Sequence, residues 1–220
     1  PWVSRVPAIV QGWYLGSMGG HSLADVLSGA VNPSGKLPFS FPAKLTDCGA
    51  HAFDTLCYPG DSIREEYKED ILVGYRWHDT KKIPALFPFG HGLSYTTFAY
   101  GKPVASAKTM DSDGTLTVTV PVKNTGRVAG KEVVQLYVGD DKCDVLRPVK
   151  ELKHFQKISL APGEEKQVTF TITPDDLKYY HTPVNEWLAD AGKFTLYIGS
   201  SSTDIRGKVV FEMRGVVYPL

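Results

Sequence analysis

The sequence predicts an α/β segment over residues 1–97, followed by an all-β sandwich over residues 98–220. A continuous apolar run, a glycine-rich turn and a helical apolar stripe predict the first part. Alternating apolar and polar residues between turn signals predict the second. The 21 glycines and 15 prolines are spread along the 220 residues, which favours many turns and short strands over a helical bundle.

Charge and cysteine content exclude several classes of protein. Lys+Arg and Asp+Glu both number 24, so the chain has no broad positive field for a nucleic acid, although a local basic patch stays open. No apolar run approaches the roughly 18 residues of a membrane span. No Cys/His spacing resembles a zinc site, and no cofactor is expected. Cys48 and Cys57 either close one loop or remain free thiols like Cys143.

The first elements have the order strand, turn, helix. Residues 8–14 (AIVQGWY) are apolar without alternation, which predicts a strand buried on both faces, as in a parallel sheet flanked by helices. A glycine-rich turn follows at 15–20. Residues 21–27 then predict a helix whose apolar side chains share one stripe: Leu23, Val26 and Leu27. Gly29 stands just past its end, at the usual position of a helix C-cap.

The rest of the first part is less regular. Residues 39–42 predict an extended segment, and residues 43–63 show no period and predict a long loop. Residues 71–77 (ILVGYRW) predict a second strand. Residues 83–95 are aromatic and contain two prolines that break a helical hydrogen-bond ladder, so a regular helix is excluded there.

From about Thr97 onward the pattern is all-β. Residues 116–122 (LTVTVPV) alternate cleanly, and residues 174–177 predict a single helical turn. Further strands are predicted at 132–138, 155–160, 167–172, 194–198 and 209–213. This region has the length and turn spacing of one β-sandwich of about seven strands.

A set of motifs runs along the whole chain: GWYLGSMGG at 12–20, LADVL at 23–27, NPSGKLP at 32–38, VGYR at 73–76, LFPFGHGLSYTTF at 86–98, VKNTG at 122–126 and LAPGE at 160–164. The long motif at 86–98 is the most specific, since no simple composition bias produces it. Together these motifs resemble glycoside hydrolase family 3. The resemblance covers essentially the whole chain.

The resemblance implies a domain arrangement. Residues 1–97 would be the end of an α/β/α sandwich domain, and residues 98–220 an immunoglobulin- or fibronectin type III-like β-sandwich. Family members carry a (β/α)8 barrel before these domains, so the barrel and the start of the α/β/α domain would be missing partners. The chain begins at Pro1 without an initiator Met or a leader, and we therefore expect a processed product or part of a longer polypeptide.

The resemblance also implies an activity for the intact protein. We expect retaining hydrolysis of terminal, non-reducing β-D-glucosyl residues from β-linked oligosaccharides; β-xylosides and N-acetylglucosaminides are alternative substrates. Retaining glycosidases need two carboxyl groups about 5 Å apart. In the family, an Asp of the barrel is the nucleophile, and a Glu upstream of this chain is the acid/base in glucosidase-like members. Neither motif is present, so no catalytic residue is assigned and the chain alone is expected to be inactive.

Two further expectations concern role and location. The family's usual habit suggests a periplasmic or secreted protein.

A standalone carbohydrate-binding or interaction module is the alternative to a scaffold. A binding module should show an exposed, coplanar row of aromatic rings, whereas a scaffold should show exposed apolar surface around residues 1–30.

The turn before the first helix is the candidate substrate-cleft loop, with Ser17, Met18 and His21 as its side chains. Ligands of open α/β sheets bind beyond the carboxyl ends of the strands, which supports this role. The alternative is a tight turn in which glycines allow close packing. The turn often reads Gly-Gln-Glu-Gly-Gly in relatives, so Met18 stands where many have an acidic or amide residue.

Charged candidates have plainer explanations. An acidic cluster is expected to be a solvated face rather than a catalytic pair: Glu65, Glu66, Glu69 and Asp70. Arg76 and Asp79 predict a structural ion pair. His91 is either a proton shuttle or, as we expect, a buried histidine that hydrogen-bonds backbone where the two parts meet.

Aromatic residues crowd the first part of the chain. We expect Phe87, Phe89 and Phe98 to clamp the sandwich onto the α/β part, because such side chains bury large apolar areas. Three aromatic residues of the sandwich form either a sugar platform or a cover for its edge: Tyr179, Tyr180 and Trp187.

Overall fold

The computed structural model describes residues 2–217 and divides into an irregular first part and a β-sandwich. The regular elements of the first part are α1 (Gly19–Ser28), β1 (Phe41–Pro42), α2 (Tyr75–Lys81) and β2 (Ala85–Phe87). β1 and β2 pair antiparallel. Short 3-10 turns lie at Val3–Arg5, Leu45–Asp47 and Gly49–His51, the last two within the predicted long loop.

The sandwich consists of two main sheets and one hairpin. Its strands are β3 (Phe98–Tyr100), β4 (Val104–Ala105), β5 (Thr109–Asp111), β6 (Leu116–Asn124), β7 (Gly130–Asp140), β8 (Glu151–Leu160), β9 (Glu165–Ile172), β10 (Tyr179–His181), β11 (Glu186–Leu188), β12 (Gly192–Gly199) and β13 (Ile205–Arg214). One sheet has the order β5-β13-β12-β7-β8, and in the other β6 pairs with β3, β4 and β9. β10 and β11 form the hairpin. All predicted strands of the sandwich are confirmed, as is the helical turn, at Pro174–Asp176.

The core lies between the two sheets. Along β6 every second side chain faces the core, and Val118, Val120 and Val122 are almost completely buried. Phe194 and Phe211 from the opposite sheet stack with their ring centroids 5.8 Å apart. Burial of such side chains is the main stabilising term, at about 25 cal/mol per Å² of apolar surface. The sandwich therefore contains its own complete core.

Two predicted strands of the first part are absent. Residues 8–14 adopt no regular secondary structure, Trp13 has φ 49°, and Tyr14 is fully exposed. A strand needs neighbours for its backbone N–H and C=O groups, and none pairs with this run among residues 2–217. Residues 71–77 turn instead of extending, because Gly74 adopts φ 61° and α2 begins at Tyr75.

The helix α1 is confirmed. It ends as the sequence predicts, with Gly29 at φ 81° and its N–H donating to the carbonyl of Val26. A side chain at this backbone angle would be strained, which is why glycine commonly ends helices.

The joint between the two parts centres on Gln135, which is buried on β7. Its Nε2 donates to the carbonyl oxygens of Gly90 (3.1 Å) and Ser200 (2.7 Å). Its Oε1 accepts a hydrogen bond of 2.5 Å from the Tyr137 hydroxyl. The N–H of Ser202 donates to the carbonyl of Phe89 at 2.9 Å, so the main chain of Phe89 joins the two parts. The Phe89 ring stacks on Tyr75 within the first part, and an apolar clamp by this side chain stays a prediction. The side chain of Gln135 thus hydrogen-bonds to backbone carbonyls of both parts.

Gly90→Ala tests this joint. Gly90 has φ +79°, and an added Cβ would collide with the amide of Gln135. Gly163 has nearly the same angle, φ +77°, but open space around it, and is the matched control. We expect the free energy of unfolding to fall by about 3 kcal/mol for Gly90→Ala and by about 1 kcal/mol for Gly163→Ala, measured by urea denaturation. Equal losses of stability in the two variants would show that the collision with Gln135 adds nothing to the strain of the backbone angle.

Candidate functional site

The candidate loop is shaped by close packing. Gly19 begins α1, and a Cβ on it would lie 2.7 Å from the Cβ of Leu15, so only glycine fits. The N–H of Gly19 donates to the carbonyl of Gly16 at 3.1 Å, which closes the turn. The glycines are therefore explained by the tight turn alone. A function for the loop has to come from its side chains.

Those side chains face solvent in this chain. Ser17, Met18 and His21 are all exposed, with Met18 61% exposed. Met18 is the N-cap residue of α1 and makes no side-chain capping bond, and the first turn contains no acidic residue. The loop offers a hydroxyl, a thioether and an imidazole, which can hydrogen-bond and contact a polar ligand. It offers no carboxylate for acid–base chemistry.

Exposed apolar side chains lie before and after this loop in the sequence. We define the apolar face as the exposed large apolar side chains of the first 31 residues: Trp2, Val6, Ile9, Val10, Trp13, Tyr14, Leu15, Met18, Leu23, Leu27 and Val31. Leu27 on α1 is 65% exposed. Large exposed apolar patches mark surfaces that bind another protein segment. This is the feature that a scaffold, rather than a binding module, is expected to show.

The aromatic pair of the sandwich does not form a platform. Tyr180 and Trp187 face each other across the hairpin β10–β11 and are 45% and 56% exposed. Their rings meet edge to face, at 72° between planes and 5.6 Å between centroids. A coplanar row for stacking a sugar chain is therefore not built by these two residues.

The acidic cluster is only partly a solvated face. Glu65 and Asp70 are exposed, and Glu66 pairs with Lys68 at 3.3 Å. The prediction is wrong for Glu69, which is 8% exposed and whose Oε2 has no hydrogen-bond partner within the described part of the chain. Glu69 packs against Gly49, from the loop before it, and this long-range contact buries it.

The predicted pair between Arg76 and Asp79 is also wrong. Arg76 Nη2 lies 3.1 Å from Glu151 Oε1, and Asp79 Oδ2 lies 2.5 Å from Lys150 Nζ. Both side chains of α2 point toward the segment that starts β8, which offers the opposite charges. The ion pairs therefore join the two parts instead of stabilising one helix.

His91 lies half-buried where the two parts meet. Its main chain makes the hydrogen bonds: the carbonyl accepts from Leu37, and the N–H donates to Pro88. Its ring stacks on Phe87, with centroids 6.0 Å apart. Burial, with a smaller effect of the Lys36 ammonium, lowers the pKa of His91 below its ordinary value. A neutral, stacked ring fits a structural role.

A groove crosses the joint between the two parts. It consists of two adjoining cavities of about 350 Å³ and 480 Å³ that share Asp79, Ser202 and Thr203. Asp79 is the single carboxylate of its lining, and Lys150 pairs with it. Burial raises the pKa of Asp79, an effect that outweighs the opposing influence of Lys150. One paired carboxyl group is not the two-carboxylate arrangement that glycoside hydrolysis requires.

Metal and thiol chemistry are not indicated by the described residues. Among residues 2–217, no group of three or more His, Cys, Asp or Glu side chains could hold a metal ion. Cys48, Cys57 and Cys143 are free thiols, so the possible Cys48–Cys57 bond is not formed. No helix in the same range is long and apolar enough to cross a bilayer.

The fold and the candidate loop define a class: the end of an α/β domain, carried on a fibronectin-like sandwich, without a catalytic carboxylate pair. Family comparisons agree. The model of the glycosyl hydrolase family 3 C-terminal domain matches residues 1–95, and that of the fibronectin type III-like domain matches residues 132–202. The chain belongs to glycoside hydrolase family 3 and is the C-terminal portion of such a protein.

Similar proteins extend well beyond this chain. It is 65% identical over 212 residues to "Beta-glucosidase BoGH3A" of Bacteroides ovatus, covering 96% of this chain and 28% of that protein. It is 49% identical over 205 residues to "Thermostable beta-glucosidase B" of Acetivibrio thermocellus, covering 93% and 27%. The solved beta-glucosidase of Kluyveromyces marxianus in complex with glucose superposes with a TM-score of 0.90 at 40% identity, covering 99% and 26%. The chain thus spans little more than a quarter of these relatives.

Lys150→Met tests the buried ion pair of the joint. The raised pKa of Asp79 means that the folded chain holds this proton to higher pH than the unfolded chain, so charging Asp79 destabilises the fold as pH rises. Without Lys150 that destabilisation grows. We expect the free energy of unfolding to fall by about 3 kcal/mol near neutral pH, and by less as the pH is lowered and Asp79 takes up its proton, measured by urea denaturation at a series of pH values.

Lys166→Met is the control, because the pair of Lys166 with Glu164 (3.2 Å) is solvent-exposed and screened by water, so its loss should destabilise the chain much less. Equal losses for the two variants, or a larger loss for Lys150→Met in acid, would contradict the assignment.

Proposed function

We propose that the protein containing this chain hydrolyses terminal, non-reducing β-D-glucosyl residues with retention, and that this chain is its supporting scaffold. The observation that carries the proposal is the apolar face, exposed next to a sandwich that buries its own core. The polypeptide that precedes the matched region in the relatives would cover this face. It would also supply the barrel and the two catalytic carboxyl groups.

Three buried carboxylates of this chain are paired with cations, which supports the scaffold role; Glu69 is buried without such a partner among residues 2–217, and one carboxyl group does not make the pair that retention requires. Asp79, Glu132 and Asp140 each face a cation within the fold, with Lys36 3.3 Å from Glu132 and Arg147 3.1 Å from Asp140. A carboxylate neutralised by an adjacent cation is a structural group, since a retaining mechanism needs one carboxylate free to attack and one proton-bearing carboxyl. The reaction chemistry therefore belongs to other parts of the protein.

The candidate loop is the part of this chain that we propose lies at the sugar. Ser17 and His21 would hydrogen-bond sugar hydroxyls, and Met18 would lie against a C–H face of the ring. Their exposure at the N-terminus of α1, next to the apolar face, supports this placement. Met18 brings no carboxylate, so the loop would orient the substrate without exchanging protons with it.

We propose a β-glucoside rather than a β-xyloside as substrate. The names of the relatives support this choice, and four of the similar solved structures are described as complexes with glucose. The two sugars differ by one hydroxymethyl group, which residues beyond this chain would recognise. A periplasmic or secreted location is proposed from the family resemblance alone.

The activity is tested by comparing this chain with the full-length protein. We expect the full-length protein to release nitrophenol from an aryl β-D-glucoside faster than from the β-D-xyloside, and to form β-glucose first, as seen by proton NMR. The chain alone should release none, since it lacks the catalytic pair. Nitrophenol release by the purified chain would overturn the scaffold role, and α-glucose as first product would overturn retention.

Leu27→Lys tests whether the apolar face is covered in the full-length protein. In this chain Leu27 is exposed, so the substitution should change the free energy of unfolding by no more than about 0.5 kcal/mol. In the full-length protein the new charge would be buried without a partner, and we expect a loss of about 3 kcal/mol and a lower melting temperature.

Val210→Lys is the matched control, because Val210 is exposed on the sandwich and should tolerate lysine in both proteins. A full-length protein that is indifferent to Leu27→Lys would show that the apolar face stays open to solvent.

A further inference from the structure

Asn32 connects three segments of the chain through its side-chain amide. Its Oδ1 accepts hydrogen bonds from the Ser94 hydroxyl (3.0 Å) and from the N–H of Tyr95 (2.8 Å). Its Nδ2 donates to the carbonyl of Ala129, 2.9 Å away on the sandwich. Both ends of the amide are therefore used, and only Asn has this combination of donor and acceptor at this length.

Tyr95 extends this connection to α1. Its hydroxyl donates a hydrogen bond of 2.5 Å to the carbonyl of Val26, in the last turn of the helix. The Val26 carbonyl also accepts from the N–H of Gly29, so the Tyr95 hydroxyl is its second donor and ties the end of the helix to the segment at 94–95. The N–H of Val31 also donates back to the carbonyl of Asp25, which holds the approach to Asn32 against the helix.

The sandwich side of the connection is rigid. A Cβ on Gly130, next to Ala129, would come within 3.0 Å of Asn32 Nδ2 and 2.7 Å of Thr96, so the backbone there is closely packed. The Thr96 hydroxyl donates to the buried Oδ1 of Asn124 at 2.6 Å. The Asn124 amide in turn donates to the carbonyl of Leu160 at 3.1 Å, inside the sandwich. The anchor of α1 is thus continuous with the sandwich core.

The opposite end of α1 carries the candidate loop. The helix has 10 residues, which corresponds to a rod about 15 Å long. A rod fixed at its C-terminal end also fixes the direction in which its N-terminal loop points. The structure therefore links the sandwich to Ser17, Met18 and His21 through one short, hydrogen-bonded path.

We propose that Asn32 and Tyr95 are positioning residues, by which the sandwich sets the place of the candidate loop and so the affinity for substrate. This inference rests on the proposed function, because it gives the loop a role at the sugar. A small displacement of a group that orients substrate lowers catalytic efficiency even when the reacting groups are untouched.

A purely structural role for these residues predicts a different result. Destabilised protein would contain fewer active molecules, so the apparent kcat would fall while KM stayed constant. A displaced substrate-binding loop would raise KM in molecules that are all folded. Comparing the change in KM with the change in kcat therefore distinguishes a positioning role from a purely structural one.

Tyr95→Phe and Asn32→Asp in the full-length protein test the proposal. The first removes the bond to Val26; the second keeps the acceptor for Ser94 and Tyr95 but removes the donor to Ala129. We expect KM for an aryl β-glucoside to rise about fivefold in each, with kcat within about twofold of wild type. Unchanged KM with reduced kcat in both variants would overturn the positioning role.

Tyr180→Phe is the matched control. It also removes one phenolic hydrogen bond of 2.5 Å to a neighbouring group, the Oδ1 of Asn185, but on the hairpin β10–β11. We expect its KM to equal that of wild type. A rise in KM matching that of Tyr95→Phe would show a general effect of lost hydroxyl groups and would overturn the specific path.

Hydrogen exchange separates this inference from the proposed function. In Tyr95→Phe, the amides of residues 26–31 should exchange about fivefold faster, which corresponds to one lost hydrogen bond, while those of β6 and β7 stay protected. Unchanged exchange at residues 26–31 would show that Tyr95 does not hold the end of α1. An inactive wild-type protein would refute the proposed function and the substrate role of the loop, while the exchange result would still decide the anchor.

Discussion

The first part of the chain buries Leu72 and Trp77 but leaves most of its large apolar side chains exposed, and the rest of the structure depends on this constraint. The sandwich closes two sheets over a complete core that includes Val120, Leu136 and Phe211. The first part has two short helices and one two-stranded ribbon, which leave the apolar face open. Since apolar burial is the main driving force of folding, this part depends on the sandwich on one side and, we propose, on preceding polypeptide on the other.

The attachment to the sandwich is mostly polar and therefore specific. Gln135 and Asn32 each satisfy backbone carbonyls with side-chain amides, and Asp79 meets Lys150 in a buried ion pair. Gln135 and the Asp79–Lys150 pair are buried, and buried polar groups are costly when they lose a partner, so these contacts favour one relative placement of the two parts. A uniquely placed α1 is what a loop at a sugar-binding cleft would need. In this account the sandwich contributes to function by position rather than by chemistry.

Local patterns predicted the parts of the fold that local physics decides. The alternation of β6 and the glycine after α1 were sufficient, because period and cap are short-range properties. The apolar runs at 8–14 and 71–77 carried the same strand signal and failed, because a strand also needs neighbours that the local sequence does not show. The partners of Arg76 and Asp79 and the burial of Glu69 were missed for the same reason. The motif NPSGKLP carries no local sign that Asn32 connects three segments, which only the fold reveals.

Hydroxyl-radical footprinting of this chain and of the full-length protein tests the central claim most directly, since it reports the solvent exposure of individual side chains. Tyr14 and Met18 of the apolar face are exposed in this chain, as is Trp187 on the sandwich hairpin. If preceding polypeptide covers the apolar face, Tyr14 and Met18 are oxidised in this chain and protected in the full-length protein, while Trp187 reacts equally in both. Equal oxidation of Tyr14 and Met18 in the two proteins would contradict such a cover.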